Sequence, residues 1–230
     1  MDLQSVAVVI PALNEAKNLS TLIPQVQKWV RNVIVVDDGS TDDTAEVSRN
    51  LGAQLLSHPE NRGKGAALRT GFQYLLEKGY EGCIVLDGDG QHSPEDIPSF
   101  LKAASDPHIG LVVGNRMHET TTMPFLRRWT NRLMSFLLSS FLHEEIPDTQ
   151  CGFRYIRSDL LRAVDLDAYR YDIDSELLIE ARRLGFGILS IPVQTIYRDH
   201  KSGIRPLRDT FFFLKLLFKK RNTFRHERRI

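Results

Sequence analysis

The chain has 230 residues, and its 30 Lys and Arg nearly balance its 29 Asp and Glu, which excludes a protein that is strongly basic or acidic throughout. A chain of this length can bury the core of one sizeable α/β domain. No apolar stretch approaches the ~18–20 residues that cross a bilayer. Two cysteines, Cys83 and Cys151, lack metal-ligand spacing, and Cys83 lies in an apolar run, so we expect it to be a buried, reduced structural thiol. Strand-type sequence starts at Ser5 where a secretion signal would lie, so we expect a cytoplasmic protein.

The charge is unevenly distributed along the sequence. Residues 198–230 contain eleven Lys and Arg against three Asp and Glu, a net charge of +8, whereas residues 1–197 carry 19 basic and 26 acidic side chains. An acidic body with a basic tail predicts that the tail meets an anionic partner. Nucleic acid is the weaker alternative, because aromatic and basic residues are not interleaved as base-stacking platforms. The apolar run at 211–218 favours a helix on an anionic membrane surface, with packing on the protein's own core or a dimer contact as alternatives.

Short apolar runs alternate with amphipathic segments through the first half of the chain. The predicted strands cover residues 5–10, 32–36, 53–56, 82–86 and 110–114. Helices are predicted between them, the clearest having an apolar stripe at helical spacing from Leu19 to Val26. This alternation predicts an α/β fold with an open, mostly parallel sheet and helices on both faces.

The regular alternation stops after Arg116. The later predicted elements are a helix at 124–142, a loop at 148–154, a helix at 171–184, a strand at 187–197 and a last helix from Pro206. Both tryptophans, Trp29 and Trp129, are expected to serve packing. We divide the chain into a main domain, residues 1–205, and a C-terminal amphipathic basic helix or tail, residues 206–230.

Two aspartates one residue apart, Asp87 and Asp89, follow the strand predicted at 82–86. Side chains at i and i+2 of an extended chain point to the same side, and two carboxylates held so close repel each other unless a cation lies between them. Hard oxygen ligands at this spacing suit Mg²⁺ or Mn²⁺, which takes its other ligands from water and a substrate diphosphate. A bare Asp-x-Asp is more often a solvated turn than a metal site. Motifs elsewhere in the sequence are therefore needed to distinguish the two.

Polar clusters follow four of the predicted strands, at Asn14-Glu15, Asp37-Asp38, Asp87/Asp89 and Arg116. Ligands of open α/β sheets bind outside the carboxyl ends of the strands, so these groups should line one edge. The glycine-rich segment around Lys64 lacks the spacing of a P-loop. It is interpreted either as an anion-binding helix start or as a tight entry into a helix.

Six motifs occur in a specific order across residues 5–205. They are VIPALNE at 9–15, VDDGSTD at 36–42, NRGKG at 61–65, DGDGQH at 87–92, GNR at 114–116 and DTQCGF at 148–153. Each motif is weak alone, but the combination resembles glycosyltransferase family 2. Within that family it is similar to the polyprenol-phosphate hexosyltransferases of the dolichol-phosphate mannose synthase type.

The resemblance implies a GT-A fold for residues 1–205 and an inverting transfer of a hexose from a GDP-mannose or UDP-glucose type donor, with Mg²⁺ or Mn²⁺ as cofactor. Catalytic roles are implied for Asp89, Arg116, Arg127 and Arg198. Metal ligation is implied for Asp87, Asp89 and Gln91. Substrate contacts are implied for Pro11, Leu13, Glu15, Val36, Asp38, Lys64, Asp87, Gly88, Gln91 and Arg205. The run after Arg198 departs from the family pattern, so Lys201 and Arg205 are alternatives for the loop cation.

Two kinds of acceptor stay open on chemical grounds. A hydroxyl acceptor needs a general base, and the candidates are Asp172, Asp174 and Glu176, of which the last two also suit the first turn of a helix. A phosphate acceptor is already ionised and needs cations instead, for which the candidates are Arg116, Arg127, Arg154 and Arg198. The resemblance implies a polyprenyl or dolichyl phosphate, with a sugar or other hydroxyl in cell-envelope polysaccharide synthesis as the alternative.

The Asp-x-Asp pair and Arg116 are both intact, which argues against a non-catalytic membrane-associated scaffold. We therefore expect an enzyme that binds a nucleotide-sugar and lies peripherally on the cytoplasmic face of a membrane. A homodimer remains an alternative use of its apolar surfaces.

Overall fold

The computed structural model describes residues 3–118, 123, 125–164, 166, 173–196, 213, 216–218 and 220, without the side chains of Leu3, Leu126 and Arg127. The strands are β1 (Val6–Ala12), β2 (Asn32–Asp37), β3 (Gln54–Ser57), β4 (Gly82–Val85), β5 (Ile109–Asn115), β6 (Arg154–Arg157) and β7 (Gly187–Pro192). The α-helices are α1 (Ala16–Gln27), α2 (Thr44–Asn50), α3 (Lys64–Glu77), α4 (Ile97–Ala103), α5 (Phe125–Leu142), α6 (Ser158–Ala163) and α7 (Ile173–Arg183). Short 3₁₀ turns cover Leu3–Ser5 and Pro94–Asp96.

All seven strands join one sheet in the order β3-β2-β1-β4-β6-β5-β7. The β1–β2, β2–β3, β1–β4 and β5–β7 pairs are parallel, which confirms the predicted mostly parallel α/β sheet. The carboxyl ends of these strands therefore meet at one edge, as helical crossovers require. Val6 to Ile10 of β1 are completely buried, because helices cover both faces of the central sheet.

Strand β6 runs against its neighbours. It is antiparallel to both β4 and β5, and Arg154 at its start pairs with Val85 of β4 and Val113 of β5. The start of β6 thus lies beside the carboxyl ends of β4 and β5. As a result, the loop that precedes β6 enters the sheet at the same edge as the Asp-x-Asp loop.

Several predicted elements need correction. The strand predicted at 187–197 ends at Pro192: the N–H of Val193 still donates to Asn115 of β5, but Thr195 pairs with His92 and no longer with the sheet. Helix α6 was not predicted. Trp29 and Trp129 were expected to pack, but they are 36% and 57% exposed, and Trp129 lies on the outer face of α5. Cys83 is free and buried, as expected, and Cys151 is free and buried as well.

Parts of the C-terminal segment pack onto the main domain. Phe213 and Leu216 are buried in the hydrophobic core. The ammonium of Lys220 lies 2.8 Å from a carboxylate oxygen of Glu176 and 2.6 Å from one of Glu180, both on α7. The core-packing alternative for this segment is therefore correct at these positions, and the boundary at 205/206 stays a prediction.

At Gly71, helix α3 approaches the sheet closely. A Cβ atom there would lie 2.5 Å from Cγ1 of Val9 in β1, which is far inside van der Waals contact. Replacing glycine by alanine inside a helix normally stabilises it by about 1 kcal/mol. We expect Gly71→Ala to lower the free energy of unfolding by about 1–2 kcal/mol instead, because overpacking in a close-packed core outweighs the helix preference.

Urea unfolding of Gly71→Ala, Val9→Ala and the double variant tests this prediction. The smaller side chain at position 9 makes room for the new methyl group, so the double variant should be more stable than the sum of the single effects by at least ~0.5 kcal/mol. Additive effects would show that α3 can shift away from β1 at little cost.

Candidate active site

Residues 86–93, called the Asp-x-Asp loop below, begin where β4 ends, at the carboxyl edge of the sheet. Asp89 is half-buried, and its Oδ1 accepts a hydrogen bond from the backbone N–H of Gln91 at 3.0 Å. Gly88 passes so close to β1 that a Cβ there would lie 3.2 Å from the carbonyl oxygen of Pro11. Gly90 has a φ of +68°, which favours glycine. The two glycines thus let the loop fold tightly against the end of β1.

Asp87 is engaged by a cation from the protein itself. The ammonium of Lys64, at the start of α3, lies 2.7 Å from Oδ1 of Asp87 and 3.2 Å from Oδ2 of Asp174. Burial would lower the pKa of Lys64, but the two carboxylates outweigh burial and raise it. Burial likewise would raise the pKa of Asp87, but the charge of Lys64 holds it below its ordinary value. Lys64 and Asp87 are therefore both charged near pH 7.

Arg154 belongs to the same cluster, because it contacts Asp174. Its side chain is fully buried and donates hydrogen bonds to the backbone carbonyls of Cys151 and Thr149, each at 2.8 Å, and to that of Asp174. Its Nε also lies 3.5 Å from Oδ1 of Asp174. Arg154 therefore ties the loop before β6 to the first turn of α7.

Arg116 at the end of β5 is held by a buried carboxylate. Its Nε donates to Oδ2 of Asp148 at 2.7 Å and its Nη2 donates to Oδ1 at 3.0 Å, which is the two-pronged geometry that fixes a guanidinium most firmly. Burial opposes the charge of Asp148, but Arg116 outweighs burial and lowers the pKa of that carboxyl. The guanidinium is thus oriented before any ligand arrives.

His92, near the end of the Asp-x-Asp loop, is buried beside Asp87. It is 3% exposed, its Nε2 is 3.9 Å from Oδ2 of Asp87, and burial lowers its pKa to about 4, so the imidazole is neutral at pH 7. Its backbone forms a bridge with Thr195, and the N–H of Ile196 donates to the carbonyl of Gln91 at 2.8 Å. The chain that leads toward Arg198 is thus bonded to the Asp-x-Asp loop.

The residues with an implied role in binding the base and ribose follow β1 and β2. Leu13 is 38% exposed, and the carboxylate of Glu15 accepts a hydrogen bond from the side chain of Asn18 at 2.6 Å. Pro11 is half-buried at the end of β1. Val36 is completely buried in the core and offers no surface to a ligand.

Asp38 is occupied by bonds within the protein. Its carboxylate accepts hydrogen bonds from the backbone N–H groups of Arg62 and Gly63, at 3.0 and 2.7 Å, and lies 2.6 Å from Nδ1 of His58. These bonds hold the segment that leads into Lys64. The structure therefore shows Asp38 positioning the start of α3, and a ribose contact for it stays a prediction.

The structure brings together a central subset of the implied residues, namely Lys64, Asp87, Gly88, Asp89, Arg116 and Asp174 with the backbone of Gln91. Glu176 is buried in a separate cluster with Lys220, on α7. Asp172, Arg198, Lys201 and Arg205, and the side chain of Arg127, lie outside the described residues. Arg154, a candidate cation for a phosphate acceptor, is instead fully buried and bonded to backbone carbonyls. No role was predicted for Asp148, which stands in a recognised motif but whose partner only the fold reveals.

The described residues fit a divalent metal that shares its ligands with a substrate. No group of three or more His, Cys, Asp or Glu among the described residues is arranged to hold a metal ion by itself. Asp87 and Asp89 supply carboxylate oxygens, which are the hard ligands that Mg²⁺ and Mn²⁺ prefer. Two such carboxylates beside a cationic edge suit an ion whose remaining ligands are water and a diphosphate.

Comparisons with known proteins agree with this geometry. Residues 7–165 match the model of glycosyl transferase family 2, so the chain belongs to this family and is a glycosyltransferase. It is 31% identical to undecaprenyl-phosphate mannosyltransferase of Micrococcus luteus, over 84% of this chain and 84% of the relative. It is 29% identical to UDP-N-acetylglucosamine–dolichyl-phosphate N-acetylglucosaminyltransferase of Methanococcus voltae, over 84% of this chain and 86% of the relative.

A solved structure confirms the fold. Glucosyl-3-phosphoglycerate synthase from Mycobacterium tuberculosis, crystallised with Mn²⁺, UDP and glucosyl-3-phosphoglycerate, superposes with a TM-score of 0.72 at 24% identity. The match covers 94% of this chain and 77% of that chain. The fold is therefore GT-A, as the sequence predicted.

The buried pair of Asp148 and Arg116 predicts a pH-dependent stability. We expect Asp148→Asn to lower the free energy of unfolding by about 3 kcal/mol near pH 7, because it leaves a guanidinium buried without its charged partner. The pKa of Asp148 is lower in the folded protein than its ordinary value of 3.8. Its stabilisation is therefore fully present above about pH 5 and is lost as the pH falls below about 4.

Denaturant unfolding of the wild type and Asp148→Asn from pH 3 to pH 8 measures this difference. The matched control is Asp159→Asn, which removes an exposed carboxylate 3.1 Å from Arg162 and should change stability by no more than about 0.5 kcal/mol. A difference between wild type and Asp148→Asn that does not shrink at low pH would contradict the assignment.

Proposed function

We propose that this protein is an inverting, metal-dependent glycosyltransferase that moves a hexose from a nucleotide-diphospho-sugar of the GDP-mannose or UDP-glucose type to a polyprenyl phosphate. The observation that carries the proposal is the joint placement of the Asp-x-Asp loop, Lys64 and the fixed guanidinium of Arg116 at one sheet edge. Support for the acceptor comes from relatives named for transfer to undecaprenyl and dolichyl phosphates. Support for the metal comes from the structural relative crystallised with Mn²⁺ and UDP.

The leaving group dictates the chemistry that the site has to provide. Breaking a bond between a sugar and a nucleoside diphosphate leaves additional negative charge on the diphosphate. Mg²⁺ or Mn²⁺ held by Asp87 and Asp89, with Gln91 as a further candidate ligand, would offset that charge. Arg116 needs no reorientation to contribute, since Asp148 already fixes it, and preoriented cations are the most effective electrostatic catalysts.

The candidate bases argue for a phosphate acceptor. Asp174 contacts both Lys64 and Arg154, and Glu176 contacts Lys220. Both of these candidate bases are thus occupied by ion pairs within the protein, whereas a general base has to reach the proton of its acceptor. A phosphate monoester has a second pKa of about 6 and is largely a dianion at pH 7, so it attacks without losing a proton.

We therefore expect transfer from a labelled nucleotide-sugar to polyprenyl phosphate and none to the matching free polyprenol. Arg127→Ala and Arg198→Ala should each lower kcat/KM on the order of 10²-fold, because these arginines offset the charge of two anionic substrates. The control is Arg162→Ala, which removes an exposed arginine on α6 and should leave kcat/KM unchanged. Comparable transfer to the free alcohol or to soluble sugars would favour the hydroxyl-acceptor alternative.

An exposed aromatic face on α5 supports a peripheral membrane location for this activity, on the cytoplasmic side. Phe125, Trp129 and Phe136 are 73%, 57% and 68% exposed, and their spacing of four and seven residues puts them on one side of the helix. The helix contains three arginines and no Asp or Glu. No helix among the described residues is long and apolar enough to span a membrane. The face thus suits an in-plane contact with anionic lipid.

The buried face of α5 contacts the loop that carries Asp148. Ser135 is buried, and its hydroxyl accepts a hydrogen bond from the backbone N–H of Thr149 at 3.0 Å, next to the Asp148 that fixes Arg116. A lipid-phosphate acceptor presented at the aromatic face would thus lie near the site's own supporting helix. A symmetric dimer through this face is disfavoured, because it would bring the arginines of two copies together.

We expect the triple variant Phe125→Ser/Trp129→Ser/Phe136→Ser to lose binding to vesicles of phosphatidylserine and phosphatidylcholine, on the order of 10²-fold in partition constant. Full burial of each aromatic side chain contributes roughly 1.5–3 kcal/mol, and partial insertion a fraction of this. Flotation measures binding, with Trp29→Ser as the control for loss of an exposed tryptophan elsewhere. Equal flotation of the triple variant and wild type would rule out this face.

The predicted contact of the basic tail is tested in the same assay. Replacing Arg225, Arg228 and Arg229 by Gln should weaken vesicle binding by about 1 kcal/mol per residue at low salt and by less at high salt. If the triple aromatic variant instead converts a dimer into a monomer in size-exclusion chromatography, the face is a subunit interface.

A further inference from the structure

We propose that Lys64 is a placeholder cation, which occupies Asp87 while the metal is absent, opposes metal binding to the free enzyme, and favours it once the nucleoside diphosphate is bound. The inference rests on the proposed metal site and concerns what this chain's own residues do there. It starts from one contact: the ammonium of Lys64 lies 2.7 Å from Asp87. A carboxylate offered to an incoming metal is therefore already paired.

The surroundings hold Asp87 against Lys64. A Cβ at Gly152 would lie 2.3 Å from Oδ2 of Asp87 and 2.9 Å from the ammonium nitrogen of Lys64, so the backbone of the loop before β6 packs against both members of the pair. Nε2 of His92 lies 3.9 Å from the same Oδ2 of Asp87. With little room to rotate, Asp87 can exchange partners only if the cation beside it moves.

Lys64 has a second carboxylate to which it can move. Oδ2 of Asp174 lies 3.2 Å from the same ammonium, and Arg154 fixes Asp174 from the other side. The side chain of Lys64 is only 12% exposed, so water screens its charge weakly. A divalent ion entering beside Asp87 would thus meet a desolvated ammonium at close range, which is repulsive.

The nucleoside diphosphate reverses the sign of this effect. Once a diphosphate lies at the carboxyl edge, Lys64 gains an anionic partner and no longer has to share Asp87 with the metal. Metal and nucleotide would then bind with positive coupling, and the coupling must be the same whichever of them binds first. If Lys64 served only to support the fold, its replacement would weaken Mn²⁺ binding both with and without nucleotide, and the two effects would have the same sign.

The test measures Mn²⁺ binding by the electron paramagnetic resonance of free Mn²⁺, which needs no turnover. For Lys64→Met we expect Mn²⁺ to bind on the order of tenfold more tightly than to wild type without nucleotide. With saturating UDP or GDP, whichever stabilises the wild type, the order should reverse, so that wild type binds Mn²⁺ more tightly than Lys64→Met. Tighter binding by Lys64→Met in both states would contradict the proposal. Lys64→Arg, which keeps the charge, should resemble wild type, and Lys102→Met on α4 should show no effect in either state.

Asp174→Asn gives the opposite expectation. With its second partner gone, Lys64 stays on Asp87, so Mn²⁺ should bind about threefold more weakly than to wild type without nucleotide. The double variant Lys64→Met/Asp174→Asn removes the pair together and should bind Mn²⁺ as tightly as Lys64→Met. Circular dichroism checks that each variant is folded, and the double variant guards against instability from one unpaired buried charge.

The outcomes separate this inference from the proposed function. Weaker Mn²⁺ binding by Lys64→Met than by wild type in both nucleotide states overturns the placeholder role and leaves the proposed transfer intact. Equal binding by the two proteins in the absence of nucleotide overturns it as well. Failure of the wild type to bind Mn²⁺ with or without nucleotide overturns both this inference and the metal-dependent reaction.

Discussion

The reversed direction of β6 is the constraint on which the candidate site depends. In a purely parallel sheet, the segment before a strand enters at the amino edge, far from the ligands of the carboxyl edge. Because β6 is antiparallel to β4 and β5, residues 148–153 enter instead beside the Asp-x-Asp loop. This one reversal delivers Asp148 to Arg116 and brings the backbone of Gly152 against Asp87.

The charges at this edge are arranged for orientation more than for stability. A buried ion pair contributes little net stability, because desolvation offsets most of the attraction, whereas removing one partner is costly. Arg116 with Asp148, and Lys64 with Asp87 and Asp174, are therefore better understood as groups held in place for an anionic ligand. Arg154 shows the extent of this arrangement, since it is fully buried and is bonded to three backbone carbonyls.

Local pattern was enough to predict the parallel half of the fold. β1, β2 and β4 are continuous apolar runs because both of their faces are covered, and their polar ends predicted the active edge. β6 is only four residues long and begins and ends in arginine, so no hydrophobic period revealed its direction. The partners of the charges were also hidden, since Lys64 and Asp174 are 110 residues apart and meet only through the fold. Trp129 was misjudged because an exposed aromatic residue and a buried one look alike in a sequence.

The two faces of α5 have a consequence for how rates on this enzyme should be expressed. The helix has 18 residues and is about 27 Å long, so it can lie flat along a bilayer while its inner face stays on the Thr149 loop. An enzyme held in this way would meet the proposed lipid acceptor by diffusion within a plane, and the encounter rate would then follow the number of acceptors per unit of membrane area. Diluting the acceptor with other lipids would slow such an enzyme, whereas adding more vesicles of unchanged composition would not speed it once every molecule is bound.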